Sequence, residues 1–466
     1  MLYSFAGFYF TYKLGETLYN KKTGLLAAIM LASSWVYFMF TMDVHTDLIL
    51  QTNVTLAIWQ LAAYEKNKKA IHFIFAFIGV GLAMMTKGPI GAAIPAFALL
   101  SHLLLKRDFK ELFHPKWLLG AGIAFIVCIP AFIGLYNQFG MNGIKFFFFT
   151  NNVGRITGSY AGDNNDYFFY LHTLLYLILP WSLLFIFGFF QEFRSYFRGT
   201  DKRREFFTIG GIWVFFLIAS IAKGKAPHYI FLLIPMILVI TAGWVNRFME
   251  GPQHKIVPKL LRVQLFIPVF LIVFSIVIMS YMFPTKNISY WILLSITITA
   301  FVLMQTFLKS TTLKLILPSV MTMSMLIIVL NGHALPMAFD YQASTKASKI
   351  YNENARNEAP FYNYLYPQYE VFFYGSSNAK RLYTIDEFQP DPQETWIFTT
   401  ESGKDTINMR YPENIAKIYP LTHRGMSNLS PQFMNPATRQ QSLDPMFLIQ
   451  LKPTDELYLS QSNTYK

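Results

Sequence analysis

The chain of 466 residues contains one cysteine and few charged side chains. A single cysteine, Cys128, excludes an intramolecular disulfide and any cysteine-based zinc site. Charged residues make up only 14% of the chain, whereas 53% of the residues are hydrophobic and 17% are aromatic. This composition is too apolar for an ordinary soluble protein. It predicts a polytopic membrane protein.

The formal net charge of +13 does not indicate nucleic-acid binding, because of where the cations lie. Residues 1–334 carry 27 Lys and Arg against 12 Asp and Glu, while residues 335–466 carry 12 against 14. The basic excess thus belongs to the apolar part, where the positive-inside rule accounts for it. We expect a membrane lipid and no nucleic acid among the partners of the chain.

Apolar segments suitable for spanning a bilayer, which needs roughly 20 residues in a helix, recur along the first 334 residues. Twelve are predicted, at about 1–18, 24–41, 50–64, 70–86, 89–105, 117–138, 167–191, 207–222, 228–247, 263–283, 289–308 and 313–331. Alternate loops are basic and hold 20 Lys and Arg, so they are assigned to the cytoplasm. The other loops and the tail then face the opposite side.

The tail after residue 334 loses the long apolar runs and gains Asn, Glu, Pro and Tyr. We predict two domains, a transmembrane helical bundle over 1–334 and a periplasmic α/β domain over 335–466. The stretch "ASTKASKIYNENA" (343–355) predicts a helix. Short strands are predicted at "YEVFFYG" (369–375), "AKRLYTIDEF" (379–388), "TWIFTT" (395–400) and "MFLIQL" (446–451).

Two polar stretches at predicted helix ends on the outer face are candidates for chemistry. In "TMDVHTDLIL" (41–50), Asp47 is the stronger candidate, because an Asp such as Asp43 at a helix start is often only a cap. With His45 these residues have a spacing that could suit a metal, but the pattern is weak. In "MTKGPIG" (85–91), Lys87 lies at a Gly-Pro turn, where a snorkelling lysine is the alternative explanation.

Two further stretches add cations on the same predicted face. "IAKGKAPHYIFLLIP" (221–235) contains Lys225, His228 and Tyr229 beside another Gly/Pro turn. "NGIKFFFFTNNVGRITGSYAGDNNDYFFYLH" (142–172) combines an aromatic block with Arg155, and it either binds a lipid-borne phosphate or anchors the protein at the interface. Lys87, Lys225 and Arg155 could converge on one phosphate, since Lys acts as a point charge and Arg as a bidentate fork.

The order of these motifs resembles that of the GT-C membrane glycosyltransferases related to lipid A aminoarabinose transferase (ArnT-like) and, more distantly, to the protein O-mannosyltransferases. The resemblance covers nearly the whole chain. The matching pieces are the Asp47 loop before "LQTNVTLAIW", then "LAMMTKGPIG", "NNVGRI", "LPWSLL", "KGKAPHYIFLLIP" and, in the tail, "RLYTIDE".

The resemblance implies a mostly α, GT-C-like bundle that transfers a sugar from a polyprenyl-phosphate donor to a lipid, glycan or protein acceptor. The reaction would take place on the periplasmic face of a bacterial inner membrane. Lys87 and Arg155 would neutralise the donor phosphate and Asp47 would organise the site. Tyr229, with His228 beside it, would line the phosphate or acceptor pocket.

The chain departs from this family in two places. Related proteins begin with a further transmembrane helix and a long outer loop that bears an acidic pair, including the expected general base. This chain starts at what corresponds to their second helix, so the first helix and the acidic outer loop are expected to be missing. The activity of the chain as given depends on whether they are. Asn152 stands where aminoarabinose transferases carry a histidine thought to help bind a metal. A divalent metal is therefore possible, with unknown ligands.

Two functions other than an enzyme remain open. A lipid-linked sugar transporter or flippase would also need intramembrane cations, but it should show paired halves and broken helices near the midplane. A non-catalytic membrane scaffold would use the tail to bind a partner.

Overall fold

The computed structural model describes residues 1–453, apart from 43–44, 158–163, 198–204, 251–256, 357–358, 367–368, 376–378, 389–392 and 426–428. The chain divides into two units. The first comprises Met1–Ile272 and Leu293–Met325, and the second comprises Val273–Ile292 and Leu326–Lys466.

Helices dominate the chain as far as residue 342. They are α1 (Leu2–Leu18), α2 (Lys21–Ala32), α3 (Trp35–Met42), α4 (Asp47–Asn67), α5 (Ala70–Lys87), α6 (Ile90–Leu105), α7 (Phe109–Leu112), α8 (Lys116–Lys145), α9 (Asn151–Thr157), α10 (Phe169–Leu177), α11 (Ser182–Phe197), α12 (Phe207–Ile221), α13 (Ile234–Glu250), α14 (Val257–Val277), α15 (Ile288–Phe307), α16 (Thr311–Val329) and α17 (Leu335–Phe339). Tighter or wider turns join some of them, namely a 3-10 helix at Pro227–Leu233 and π-helical turns at Phe146–Thr150, Ile278–Met282 and Leu330–Ala334.

The helices identify a multi-pass membrane protein. Within the described ranges, six helices are long and apolar enough to cross a bilayer, and a seventh span results if α2 and α3, bent by 56° to one another, are taken together. Helix α6, helix α12 and residues 182–191 of α11 are apolar but shorter. Each of the twelve predicted segments contains helix. Several of them are broken, as at Ser33–Ser34 and between α10 and α11.

Helix α4 is central to the first unit because it packs on α1, α5 and α6. It is buried along most of its length, including the polar side chains Gln51, Thr52 and Asn53. Gly79 of α5 allows a close approach, since a Cβ there would lie 3.1 Å from the backbone nitrogen of Ala57. The two helices run in opposite directions, so the first residue of α4 lies near the last turn of α5.

The second unit contains a five-stranded mixed sheet. Its strands are β1 (Phe361–Tyr364), β2 (Ala379–Leu382), β3 (Thr395–Thr400), β4 (Ile415–His423) and β5 (Asp444–Leu451), and the helices of this part are α18 (Ala343–Asn354), α19 (Tyr369–Tyr374), α20 (Glu401–Arg410) and α21 (Pro431–Met434). The strand order is β2-β1-β3-β5-β4. Strand β1 is parallel to β2 and β3, whereas β5 is antiparallel to β3 and β4.

Apolar residues on both faces of this sheet form separate cores. Ala347 and Tyr351 of α18 pack with Phe361 and Trp396 on one face. Ile407 of α20 joins the core on the other face. The tail therefore has the layered α/β architecture that its sequence predicts.

Two predicted strands of the tail differ from the structure. The strand predicted at 379–388 covers only Ala379–Leu382 and is followed by a 3-10 helix at Ile385–Glu387. Residues 369–374 form the helix α19 rather than a strand. Only Val371 of this helix is buried, while Tyr369 and Phe373 are 87% and 79% exposed. An apolar run of six residues cannot distinguish a short helix from a strand by its periodicity.

Candidate functional site

Asp47 begins α4 and is buried, with only 1% of its side chain exposed. A carboxylate in the first turn is favoured by the positive end of the helix dipole. One carboxylate oxygen of Asp47, Oδ2, lies 2.7 Å from Nζ of Lys87 and 3.5 Å from Nδ1 of His45. A buried carboxylate needs such partners.

Lys87 is the last residue of α5, and Gly88 follows it with φ +69° and ψ −147°. Only glycine adopts this backbone conformation readily. A Cβ on Gly88 would also lie 3.0 Å from the carbonyl oxygen of Phe147. The turn therefore fixes the end of α5, and the Lys87 side chain stays 26% exposed while its ammonium contacts Asp47.

Asp47 and Lys87 lie on the wall of a cavity of about 510 Å³ in the first unit. Its polar lining includes both residues together with Asn152 and Tyr229, and its apolar lining includes Leu50, Ile90, Phe97, Phe215 and Ile218. An ammonium at one wall and a large apolar surface elsewhere suit an amphiphilic anion, such as a lipid with a charged head group.

The aromatic residues of the "PHY" turn extend the site beside Asp47. The His228 ring lies 5.2 Å from the His45 ring and 4.7 Å from the Tyr229 ring, measured between centroids. The ring of Phe40 belongs to the same cluster, and its centroid lies 5.6 Å from that of the His45 ring. Tyr229 reaches the cavity wall, while His45 connects the ring cluster to the carboxylate of Asp47.

Lys225 has a different environment from the one its position suggested. Its Nζ donates to the carbonyl oxygen of Asn164 at 2.6 Å and lies 5.7 Å from the centre of the Tyr167 ring. The segment before α10 is thus attached to the turn before the 3-10 helix. Asp166 in this segment pairs with His172 at 2.9 Å, and that hydrogen bond lowers the pKa of the Asp166 carboxyl.

Arg155 belongs to helix α9, but its side chain lies outside the described part of the structure, as does Asp43. The role predicted for Arg155 in phosphate binding therefore stays a prediction. Asn152, one turn earlier in α9, donates from Nδ2 to the carbonyl oxygens of Phe147 and Phe148 at 3.1 and 3.3 Å.

The described side chains contain no group of metal ligands. No three His, Cys, Asp or Glu residues in that part of the chain are grouped so that they could hold an ion. The amide of Asn152 turns its nitrogen toward two carbonyls and is a poor ligand for zinc.

Sequence reasoning missed Tyr170 as part of the site. This residue is fully buried, lines the cavity, and its hydroxyl accepts a hydrogen bond from the backbone N–H of Ala226 at 3.3 Å. It occurs in "DYFFYLH", and nothing in this aromatic run distinguishes the buried Tyr170 from its neighbours. Thr46 and Thr86, each next to a predicted site residue, also line the cavity.

Comparison with known proteins identifies relatives that match part of the chain. Residues 1–133 match the family described as dolichyl-phosphate-mannose-protein mannosyltransferase. An uncharacterized protein of Aquifex aeolicus (strain VF5) is 31% identical over 228 residues, which cover 49% of this chain and 44% of that protein. The undecaprenyl phosphate-alpha-4-amino-4-deoxy-L-arabinose arabinosyl transferase of Edwardsiella ictaluri (strain 93-146) is 29% identical over 196 residues, which cover 41% and 34%.

These matches span less than half the length of either relative. The structural likeness extends much further. The crystal structure of ArnT from Cupriavidus metallidurans bound to undecaprenyl phosphate superposes with a TM-score of 0.68 at 14% identity, covering 96% of this chain and 82% of that one. Its apo state gives the same values. The chain therefore has the fold of ArnT, and the resemblance predicted from its motifs is confirmed.

Proposed function

We propose that this protein is a membrane glycosyltransferase that moves a sugar from a polyprenyl-phosphate donor to a lipid, glycan or protein acceptor. The observation that carries the proposal is the ion pair of Asp47 and Lys87 on the wall of a largely apolar cavity. The relatives described above, whose names include arabinosyl and mannosyl transferases, support the reaction class.

The proposed chemistry uses the ammonium of Lys87 as a fixed positive charge. When the bond between the anomeric carbon and the phosphate oxygen breaks, its electron pair stays on the phosphate, which gains negative charge. The acceptor oxygen bonds to the anomeric carbon, and the proton of an acceptor hydroxyl passes to the leaving phosphate or to water. A cation positioned in advance stabilises this charge more in the transition state than in the bound donor. Asp47 holds the ammonium in place, and Tyr229 and Tyr170 contribute to the lining of the same cavity.

The proposed location is the outer face of a bacterial inner membrane. Lys87 ends α5, and the 3-10 helix at Pro227–Leu233 comes after the end of α12. Both helix ends lie opposite the basic loops, and the positive-inside rule assigns those loops to the cytoplasm. The donor would then be reached from the periplasmic side, where the tail is also predicted.

The proposal is tested by sugar transfer in membranes that contain the full chain. We expect transfer from at least one undecaprenyl-phosphate sugar in a panel, and a fall of at least about 100-fold in Lys87→Gln, the size of effect seen when a transition-state contact is removed. Lys87→Arg keeps a charge and should retain part of the activity. The control Lys309→Gln, an exposed lysine at the opposite ends of the helices, should be unchanged. Normal transfer by Lys87→Gln would contradict the proposal, and movement of the intact lipid-linked sugar across the bilayer without transfer would favour a transporter.

A further inference from the structure

The first unit contains a second cavity, a groove of about 530 Å³ between α5, α6 and α8. Its lining includes Val80, Leu99, Leu103, Ala124 and Phe125. No charged residue belongs to that lining, so the groove does not suit a polar ligand. The function proposed above does not use it.

Helix α6 separates this groove from the cavity that contains Lys87. Ile90, Ala93 and Phe97 lie on the side of α6 that faces the Lys87 cavity. Ala92, Ala96 and Leu99 line the groove, and at about 100° per residue they are centred roughly 120° around the helix axis from the first three residues. An occupant of the groove would thus contact a different side of α6 from the one that lines the Lys87 cavity, and it would not enter the candidate site.

The groove opens sideways toward the surroundings of the helices. Leu100 and Phe125, on its walls, are 41% and 59% exposed. Helices α5 and α8 are apolar enough to span a bilayer, so we expect their exposed faces to contact lipid chains. On α8 the lining runs from Trp117 to Phe132, which corresponds to roughly 22 Å of helix. These dimensions suit an extended hydrocarbon chain.

Cations lie close in sequence to Leu112 and Trp117, which line one end of the groove. Lys106, Arg107 and Lys110 are exposed in the loop and short helix there. The acidic side chains nearby have partners already. Glu111 pairs with Lys116 and Lys68, and Asp108 accepts a hydrogen bond from the backbone of Glu111 at 3.1 Å.

Aromatic residues mark the same end as a membrane interface. Phe109 and Phe113 are 54% and 80% exposed in the loop between α6 and α8. The Nζ of Lys116 lies 4.9 Å from the centre of the Trp117 ring, which lines the groove. Trp beside Lys, as in Lys116 and Trp117, is typical of the head-group region of a bilayer.

We propose that the groove binds one anionic phospholipid, with an acyl chain along α6 and its phosphate against Lys106, Arg107 and Lys110. The positive charge at the mouth selects the head group, and the apolar walls take the chain. The lipid would be a structural partner that supports α6, and through it the Lys87 turn. This inference does not depend on the proposed transfer reaction.

The experiment measures lipid binding to the delipidated full chain in detergent by native mass spectrometry. The probes are phosphatidylglycerol, phosphatidylcholine of the same acyl chains, and undecaprenyl phosphate. We expect one phosphatidylglycerol to bind in preference to phosphatidylcholine. Replacing Lys106, Arg107 and Lys110 by Gln should weaken its binding by roughly fivefold for each cation removed, with little effect on phosphatidylcholine.

A second pair of variants separates the groove from the rest of the lipid-facing surface. Ala96→Trp places a large side chain in the groove from an exposed alanine and should abolish the preferred binding. Ile126→Trp adds a ring on the exposed surface of α8, outside the groove, and should leave binding unchanged. Thermal unfolding of each variant in detergent shows whether it is folded.

Three outcomes would overturn the inference. Equal binding by folded Ala96→Trp and by the unchanged chain would place the lipid elsewhere. Equal affinity for the two phospholipids would remove the role of the cations. Displacement of phosphatidylglycerol by undecaprenyl phosphate in the Lys87→Gln variant, whose candidate site has lost its cation, would show that a polyprenyl chain occupies the groove.

Discussion

At the scale of single residues, the site is organised by a buried acid. Asp47 is 1% exposed, and one of its oxygens contacts both Lys87 and His45. Taking a carboxylate out of water costs several kcal/mol unless it is paired. Lys87 therefore has two roles, since it neutralises Asp47 and offers its ammonium to the cavity.

This pairing leads to a prediction about stability. Lys87→Ala leaves the carboxylate of Asp47 buried without its main partner, and it should lower the free energy of unfolding by up to about 3–5 kcal/mol. The double variant Asp47→Asn with Lys87→Met removes both charges and should lose much less. Thermal unfolding in detergent measures both variants. A Lys87→Ala protein as stable as the double variant would mean that the carboxylate obtains enough stabilisation from His45 and its helix end.

The sequence predicted a large part of this site because its residues follow helix ends on one side. Asp47, Lys87 and Tyr229 all line the same cavity, as their positions next to turns suggested. Lys225 looked equivalent to Lys87 in sequence, but its ammonium binds a backbone carbonyl in the segment before α10. Which partner a flexible lysine finds depends on contacts between distant segments, and a pattern of spacing does not contain them.

At the scale of secondary structure, the tail shows which signals are local. Helix α18 and strands β3 and β5 were predicted from their periodicity and β-branched or aromatic content. Strand β4 was missed because it contains Pro420 and alternates poorly. It lies at the edge of the sheet, where a proline does not break the ladder. Strand β1, with only four residues, is stabilised by neighbours on both sides that become adjacent only in the fold.

His423, at the end of β4, should make the tail sensitive to acid. Its side chain is 1% exposed, its Nδ1 accepts from the backbone N–H of Ala343 at 3.2 Å, and its Nε2 lies 3.2 Å from the Tyr366 hydroxyl. Burial lowers the pKa of His423 below its ordinary value. The unfolded chain therefore binds a proton more readily, so stability is complete above a pH of about 6.5 and falls as the pH decreases below it.

Limited proteolysis of the full chain at pH 7.5 and pH 5.5 measures this effect. We expect faster cleavage around β4 at the lower pH. In His423→Gln this acceleration should be smaller, since the side chain no longer titrates. The exposed His114 provides the matched variant, and His114→Gln should keep the full acceleration. If His423→Gln and the unchanged chain respond alike to pH, another group is responsible.

At the scale of the whole molecule, charge is distributed unevenly along the chain. The basic excess lies in the helical part and is concentrated in loops that alternate with less basic ones, whereas the tail is close to neutral. Because cytoplasmic loops of membrane proteins carry most of the Lys and Arg, this distribution predicts an orientation. The loop between α6 and α8 should face the cytoplasm, and the tail should face the opposite side.

Cysteine labelling in intact cells tests the orientation directly. The native Cys128 is 1% exposed and should not react with a membrane-impermeant maleimide. Lys110→Cys, in the loop before α8, should be labelled only after the membrane is opened, because the reagent cannot reach the cytoplasm. Ser402→Cys, in the tail helix α20, should be labelled in cells whose inner membrane is intact. The reverse pattern would place the tail in the cytoplasm and, since Lys87 ends a helix opposite the basic loops, would remove the basis for a periplasmic reaction.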